Sequence, residues 1–260
     1  MKRAIQIVSL LVFILVPALV SYGAVALKDA VGVWLLDEGS GTVAKDSSGN
    51  NNEGKIEVAK WTDGKIGKAL LFDGDGSVTV QSTDKLNMGS QFTMMAYFNA
   101  RALNDWHVII AKNNQYLLRI DNPAEGNKMS SFINLNGAWE PRASAVVPEL
   151  NKWIHYAAVY DSGIKKLRVY VNGALGGESD RDGKPTPNTD PVTFGHWNNG
   201  SIFNGTIDDV AIFSVALSES DIKSIADKGL ASALSLGGGG VTSVTPGSKL
   251  AATWGDVKQP

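Results

Sequence analysis

The sequence predicts an all-β protein: two antiparallel sheets packed as a sandwich, with one short helix near the C-terminus. Three observations predict it. Short apolar stretches recur from Val31 to Phe213, split by clusters of Gly, Asn, Asp and Ser, which is the spacing of strands joined by turns. Several stretches alternate with period two, as in Leu167, Val169 and Val171 against Arg168 and Tyr170; alternation sends neighbouring side chains to opposite faces, so each strand offers one face to a core. The 260 residues include 28 glycines and only 19% charged residues, a balance that favours turns and close backbone approach over helix interiors.

The elements follow in order. Lys2 and Arg3 precede an apolar run from Ala4 to Val20, broken only by Gln6, Ser9 and Pro17, and then the small residues Ser21, Gly23, Ala24 and Ala26. This order reads as a signal peptide over residues 1–23, cleaved after Gly23 or Ala26, and the run is short for a spanning helix. The mature chain is therefore expected to be secreted or held at the cell surface, with no stable membrane span. Strand-like runs follow at Val31–Leu36, Lys68–Phe72, Ser77–Val80, Phe92–Asn99, Trp106–Lys112, Tyr116–Ile120, Ser131–Leu135, Trp153–Tyr160, Lys166–Val171 and Thr206–Phe213. Asn172-Gly173 suits a type I′ hairpin, in which both central residues take positive φ. The Pro-, Asp- and Gly-rich stretch Arg181–Pro191 reads as a surface loop. Ser218-Glu219-Ser220-Asp221 resembles a capping box with Asp in place of Glu, with Ile222 and Ile225 on one face and Gly229 as the stop. That helix is expected on the edge of the sandwich. Residues 231–260 read as a Gly-rich linker, Gly237 to Gly240, and a short tail whose Trp254 hints at docking.

Net charge is only −2, with no run of Lys or Arg, so nucleic acid, whose binding rests on neutralised phosphates, is not an expected partner. There is no cysteine. Thiol catalysis, Cys-bound zinc and disulfides are excluded, and the lack of disulfides fits a bacterial secreted protein.

Five stretches in sequence resemble the laminin-G-like domains of the concanavalin A-like lectin/glucanase type. They are the opening VGVWLLDEGSGTVAKDSSGNNNEGKI (Val31–Ile56), WTDGKIGKALLFDGDGSVTV (Trp61–Val80), FTMMAYFNA, WIHYAAVYDSGIKKLRVYVNGAL (Trp153–Leu175) and FNGTIDDVAIFSVALSESDI (Phe203–Ile222). The resemblance runs from about Val31 to Leu230, within a domain expected over residues 28–230, and implies a jelly-roll arrangement of the two sheets, one of them curved, with glycans on the concave face or rim loops, and in many members a calcium ion. It carries little information about ligand, since one fold hosts many functions.

Calcium needs six to eight hard oxygens. Asp46 lies in an oxygen-rich loop, Asp73 and Asp75 bracket a turn, and Asp208 and Asp209 lie in the last strand. The first and last strands of a jelly roll are expected to be neighbours, which would bring Asp46 toward Asp208 or Asp209. Under strict alternation one of these two faces inward and needs a partner, because an unpaired buried charge is costly. The candidate metal set is Asp46, Asp75, Asp208 and Asp209; the competing reading makes Asp46, Asp73 and Asp75 turn residues that accept backbone hydrogen bonds.

A sugar-binding surface is the second candidate. Of seven Trp, Trp106, Trp139 and Trp197 sit among polar residues, and Arg119 and Asn134 lie on strands where they could bond hydroxyls. These five form the candidate ligand-binding set. Trp34, Trp61 and Trp153 read as core. The three histidines, His107, His155 and His196, lack any local zinc spacing. No catalytic residues are assigned: the strand-borne carboxylate pattern of related glucanases is missing, as are nucleophile-elbow, phosphate-loop and dinucleotide motifs. Asn199 and Asn204 fit glycosylation sequons. The expected function is a non-enzymatic binding or adhesion module for a polysaccharide or a glycosylated protein, with calcium as its only cofactor. The alternatives are a structural or assembly protein that docks through its tail, and a glycoside hydrolase.

Overall fold

The computed structural model describes residues 25–197 and 200–236. The signal segment, Asn199, the Gly237–Gly240 run and Trp254 lie outside them. The strands in chain order are β1 (Ala30–Trp34), β2 (Val43–Ala44), β3 (Gly54–Glu57), β4 (Lys60–Asp63), β5 (Lys68–Asp73), β6 (Ser77–Val80), β7 (Gln91–Ala100), β8 (His107–Lys112) and β9 (Tyr116–Ile120). They continue with β10 (Met129–Ile133), β11 (Ala143–Ser144), β12 (Ile154–Asp161), β13 (Lys166–Val171), β14 (Ala174–Asp180), β15 (Val192–Phe194), β16 (His196–Trp197), β17 (Ser201–Ile202) and β18 (Asn204–Phe213). All ten runs read from the sequence are strands.

One sheet has the order β14-β13-β12-β7-β18-β5-β4, with β1 added on β18; the other runs β11-β10-β9-β8-β15-β6-β3-β2. Every pairing is antiparallel, and first and last strands are neighbours, with Trp34 opposite Val210. Between the sheets lie Trp34, Phe72, Phe92, Phe98, Tyr116, Tyr156, Tyr160, Phe194 and Phe203, all buried. This is the two-layer sandwich the alternation predicts: residues i and i+2 of each strand face the same layer. Asn172 and Gly173 have φ of 50° and 83°, as a type I′ hairpin requires.

Strands β2, β3, β4, β11, β14, β15, β16 and β17 were not read from the sequence. They are short, or, in β14, a largely exposed edge carrying two glycines. The loop after β14 holds a surprise for a surface segment. Arg181 is buried, and its guanidinium donates to the carbonyls of Ile133, Glu140 and Ala138, the last at 2.8 Å.

Helix α1 (Glu219–Lys228) carries the expected capping box, with Ser218 accepting from the Asp221 amide and Asp221 from the Ser218 amide, and Gly229 at its C-cap. A second short helix, α2 (Leu230–Ala233), follows. The pair lies on a sheet face rather than on the edge. Val33, Ala211, Met95, Ala157 and Tyr170 form one row across the outer side of the first sheet, and Ile222, Ile225, Leu230 and Leu234 bury it. The Tyr97 hydroxyl pins the helix by donating to the carbonyls of Ile225 (3.0 Å) and Ala226 (2.8 Å). Val25, before the expected domain start, is buried in the same cluster.

Truncating this contact should cost what a buried aliphatic normally costs. Ile225→Ala is expected to lower stability by about 2–5 kcal/mol, read as a shift in the urea midpoint.

Candidate functional site

The helices close one outer face and leave the other, on the second sheet, as the broad surface available to a ligand. Its composition follows from the core. Val78, Val80, Val192 and Phe194 point inward, so Ser77, Thr79 and Thr193 point outward. Register lines Lys55, Thr79, Thr193, Ala111, Leu117 and Phe132 into a single row across β3, β6, β15, β8, β9 and β10.

The row divides the face in two. Over β8–β10, Val108, Ala111, Leu117 and Phe132 form a small apolar cluster on which Trp139 and Trp197 pack. The two indoles meet edge to face at 6.0 Å. Over β3, β6 and β15 the face opens into a groove of about 580 Å³ lined by Glu57, Val58, Asp75, Ser77, Thr79, Pro191, Thr193 and His196. An adjoining depression of about 80 Å³, reached past the shared Pro191 and Thr193, is bounded by Asn113, Asp190 and Trp197. The Trp197 indole nitrogen is buried without a hydrogen-bond partner, a donor at the meeting of the aromatic and polar halves.

All five residues of the ligand-binding set lie on this face or its edge, but in different states. Arg119 is committed: Nε donates to Asp121 at 2.9 Å and Nη2 to Glu125 at 2.6 Å, and the guanidinium stacks over Phe132 at 4.5 Å and Trp106 at 5.6 Å. Arg142 completes the network with Asp121, Glu125 and Glu140 at 3.1, 2.6 and 2.9 Å. Its buried centre, the Arg119–Asp121 pair, is costly to break, since removing one partner strands the other's charge. Trp106 reaches toward Glu125 at 3.4 Å, and Asn134 closes a turn by accepting from the Gly137 amide at 2.9 Å. Trp139 and Trp197 remain the aromatic pair beside the groove. Glu57, Ser77, Thr79 and Thr193 were not in the ligand-binding set, and His196 was weighed only as a zinc ligand. The outward hydroxyls are legible in the S-V-T-V and V-T-F alternation, but the pairing of β6 with β15 joins residues more than a hundred positions apart and leaves no local trace.

The four aspartates proposed for metal do not gather, and among the described residues no three His, Asp or Glu side chains are grouped as ligands. Asp46 is a turn residue. Its two oxygens accept from the amides of Val33, Ser48 and Asn52 and from the Ser48 hydroxyl, at 2.8–3.0 Å. Asp75 belongs to the groove. Asp208 and Asp209 form a buried pair elsewhere. A bulge between Asp208 and Ala211, with Asp209 at φ 47°, puts both Ile207 and Val210 into the interior. The strict alternation expected there is broken, and both aspartates turn toward the Gly64–Gly67 turn and the helices. Asp208 Oδ2 accepts from the amides of Lys65 (2.8 Å) and Ile66 (3.0 Å), while Oδ1 is buried without a partner. Asp209 accepts from the Leu230 amide at 2.9 Å. A Cβ at Gly64 would stand 2.5 Å from the Lys68 carbonyl oxygen and 2.6 Å from Asp208 Oδ2, so the turn has room only for glycine there.

Burial, then the neighbouring Asp209, pushes the Asp208 carboxyl up to about 8, and burial pushes Asp209 up to about 7. The folded chain thus holds protons that the unfolded chain, with carboxyls near ~3.9, has released. This contribution to stability is full at acid pH and is lost as pH rises through about 8. Asp208→Asn keeps an acceptor for the two amides and removes the titration. In EDTA it is expected to flatten the fall in unfolding free energy between pH 5 and pH 9, measured by urea titration, by roughly 2 kcal/mol or more.

The three histidines stay apart: His107 Nδ1 lies 3.1 Å from the Ile202 carbonyl, His155 is buried against Tyr97, and His196 borders the groove.

The family model described as the concanavalin A-like lectin/glucanases superfamily matches residues 72–223. No curated protein sequence matches the chain. Among solved structures, domain 4 of AbnA, a GH43 extracellular arabinanase from Geobacillus stearothermophilus, in complex with arabinotriose, superposes with a TM-score of 0.60 at 20% identity, covering 76% of this chain and 98% of that one. The binding domain of Paraclostridial Mosquitocidal Protein 1 gives 0.63 at 18% identity, over 77% and 52% of the two chains. The binding domain of Botulinum Neurotoxin DC in complex with SialylT gives 0.63 at 17%, over 78% and 52%. The chain therefore spans about half of each toxin binding domain. At these identities the structural likeness fixes the jelly-roll sandwich and no more, whereas the family match covers more than half of the sequence: the chain belongs to the concanavalin A-like lectin/glucanase superfamily.

Proposed function

We propose that the protein is a secreted, non-catalytic carbohydrate-binding module whose glycan lies in the groove over β3, β6 and β15 against Trp197. The observation that carries this reading is the juxtaposition, on the one broad face the helices leave open, of outward hydroxyls and carboxylates with an indole pair. Sugars present alternating C–H faces and hydroxyl edges. Trp197 offers a flat apolar surface for the former, and Ser77, Thr79, Thr193, Glu57 and Asp75 offer acceptors for the latter; a few polar groups beside an aromatic wall are the usual makeup of a small-ligand site. The arabinotriose and SialylT complexes of the two similar structures are consistent with a sugar ligand on this fold. The basic-apolar-small order of residues 1–26 supports export; among the described residues no helix is long and apolar enough to cross a membrane.

Trp197→Ala is expected to weaken binding of the best ligand on a glycan array more than about tenfold, the range of a buried aromatic anchor, with an unchanged circular dichroism spectrum. An array with no bound glycan, with or without calcium, overturns the reading.

Calcium belongs to the same proposal, at Asp208 and Asp209 rather than at the full four-aspartate set. Among the described residues these two buried carboxylates form no salt bridge to a cation, and Asp208 Oδ1 has no hydrogen-bond partner. A bound ion would supply positive charge and lock the Gly64–Gly67 turn to the last strand. Calcium is expected to raise the melting temperature of the wild type and not that of Asp208→Asn; an equal melting temperature in calcium and in EDTA overturns it.

A further inference from the structure

The groove carries an uneven charge. Its walls hold the carboxylates of Glu57 and Asp75, and the adjoining depression adds Asp190, which feels the charge of buried Lys112; among the described residues neither lining contains a Lys or Arg. Glu57 is matched by Lys55 at 2.6 Å. Asp75 and Asp190 form no ion pair among the described residues. Three further cations, Lys112, Arg119 and Arg142, are already engaged. Lys112 turns its buried ammonium to the Ser82 hydroxyl at 2.8 Å and to the Asp190 carbonyl. Arg119 and Arg142 are held by Asp121, Glu125 and Glu140. Among the described residues, the lining of the groove and of the depression therefore offers no free cation to a sulfate or a sugar carboxylate.

Resting on the glycan reading above, we propose that this groove sorts glycans by charge, taking neutral and amine-bearing sugars and rejecting sulfated, sialylated and uronate-bearing ones. The chemistry is one of matching donors to acceptors. A carboxylate accepts from a sugar hydroxyl, an amide N–H or an ammonium. A sulfate or carboxylate on the ligand brings only acceptors and a like charge, so it loses the hydrogen bond and meets repulsion. At a half-open surface, one such pair a few ångströms apart weakens binding on the order of tenfold at low salt. At about 1 M salt, where screening acts within ~3 Å, most of that difference disappears.

The test uses the whole chain on an array that carries neutral oligosaccharides beside their sulfated, sialylated and uronate-bearing counterparts, with chito-oligosaccharides in acetylated and deacetylated forms. Binding confined to neutral and amine-bearing members is expected, with anionic counterparts at least about tenfold weaker in 50 mM salt and nearly equal in 1 M. The Asp75→Asn, Asp190→Asn double variant is expected to bring the neutral-to-anionic affinity ratio toward one. Anionic glycans bound as tightly as their neutral parents, or a ratio that the double variant leaves unmoved, overturn the charge-sorting proposal while leaving the glycan site intact. Binding to no glycan at all overturns both.

Discussion

The pleat ties the interior of this protein to its surface. In β6 and β15 every residue that fills the core fixes the identity of a neighbour on the outside: Val78 and Val80 inward leave Ser77 and Thr79 outward, and Val192 and Phe194 inward leave Thr193. A one-residue slip in either strand would bury the hydroxyls and expose the valines. The register that builds the core is therefore the register that builds the groove, and the two cannot be altered separately.

The two outer faces are then treated differently. The first sheet is apolar on both sides, since Val33, Met95, Ala157, Tyr170 and Ala211 would face water if α1 and α2 did not cover them. The second sheet is apolar on its outer side only over β8–β10, where Trp139 and Trp197 lie across it. One face is sealed by helix and the other is partly sealed by indoles, and the boundary of that partial seal is where the groove begins.

Much of this was legible in the sequence. Period-two runs such as Lys166–Val171 and the Ser218–Asp221 capping box each state a local geometry, and local geometry is what neighbouring residues encode. The aromatic side of the site was also legible, because Trp139 and Trp197 stand out in polar surroundings. The carboxylates were harder. Asp46 and Asp208 look alike on paper, yet one is saturated by the amides of its own loop and the other is left with a bare buried oxygen. That difference is made by a bulge and by a turn some 140 positions away, and by no residue type. Arg119 shows the same limit: its strand placement was right, but the ion network that occupies it comes from Asp121, Glu125 and Arg142, brought together only by the fold.

The position of β18 has a consequence for how the chain is made. This strand, residues 204–213, runs through the middle of the first sheet and pairs with β7, β5 and β1. Until it leaves the ribosome, β7 lacks a neighbour on one side and β1 has nothing to pair with. The strands that precede residue 204 must then wait, with apolar edges open, until residues 204–213 are synthesised. A topology closed so late makes the waiting edges the places where aggregation would start.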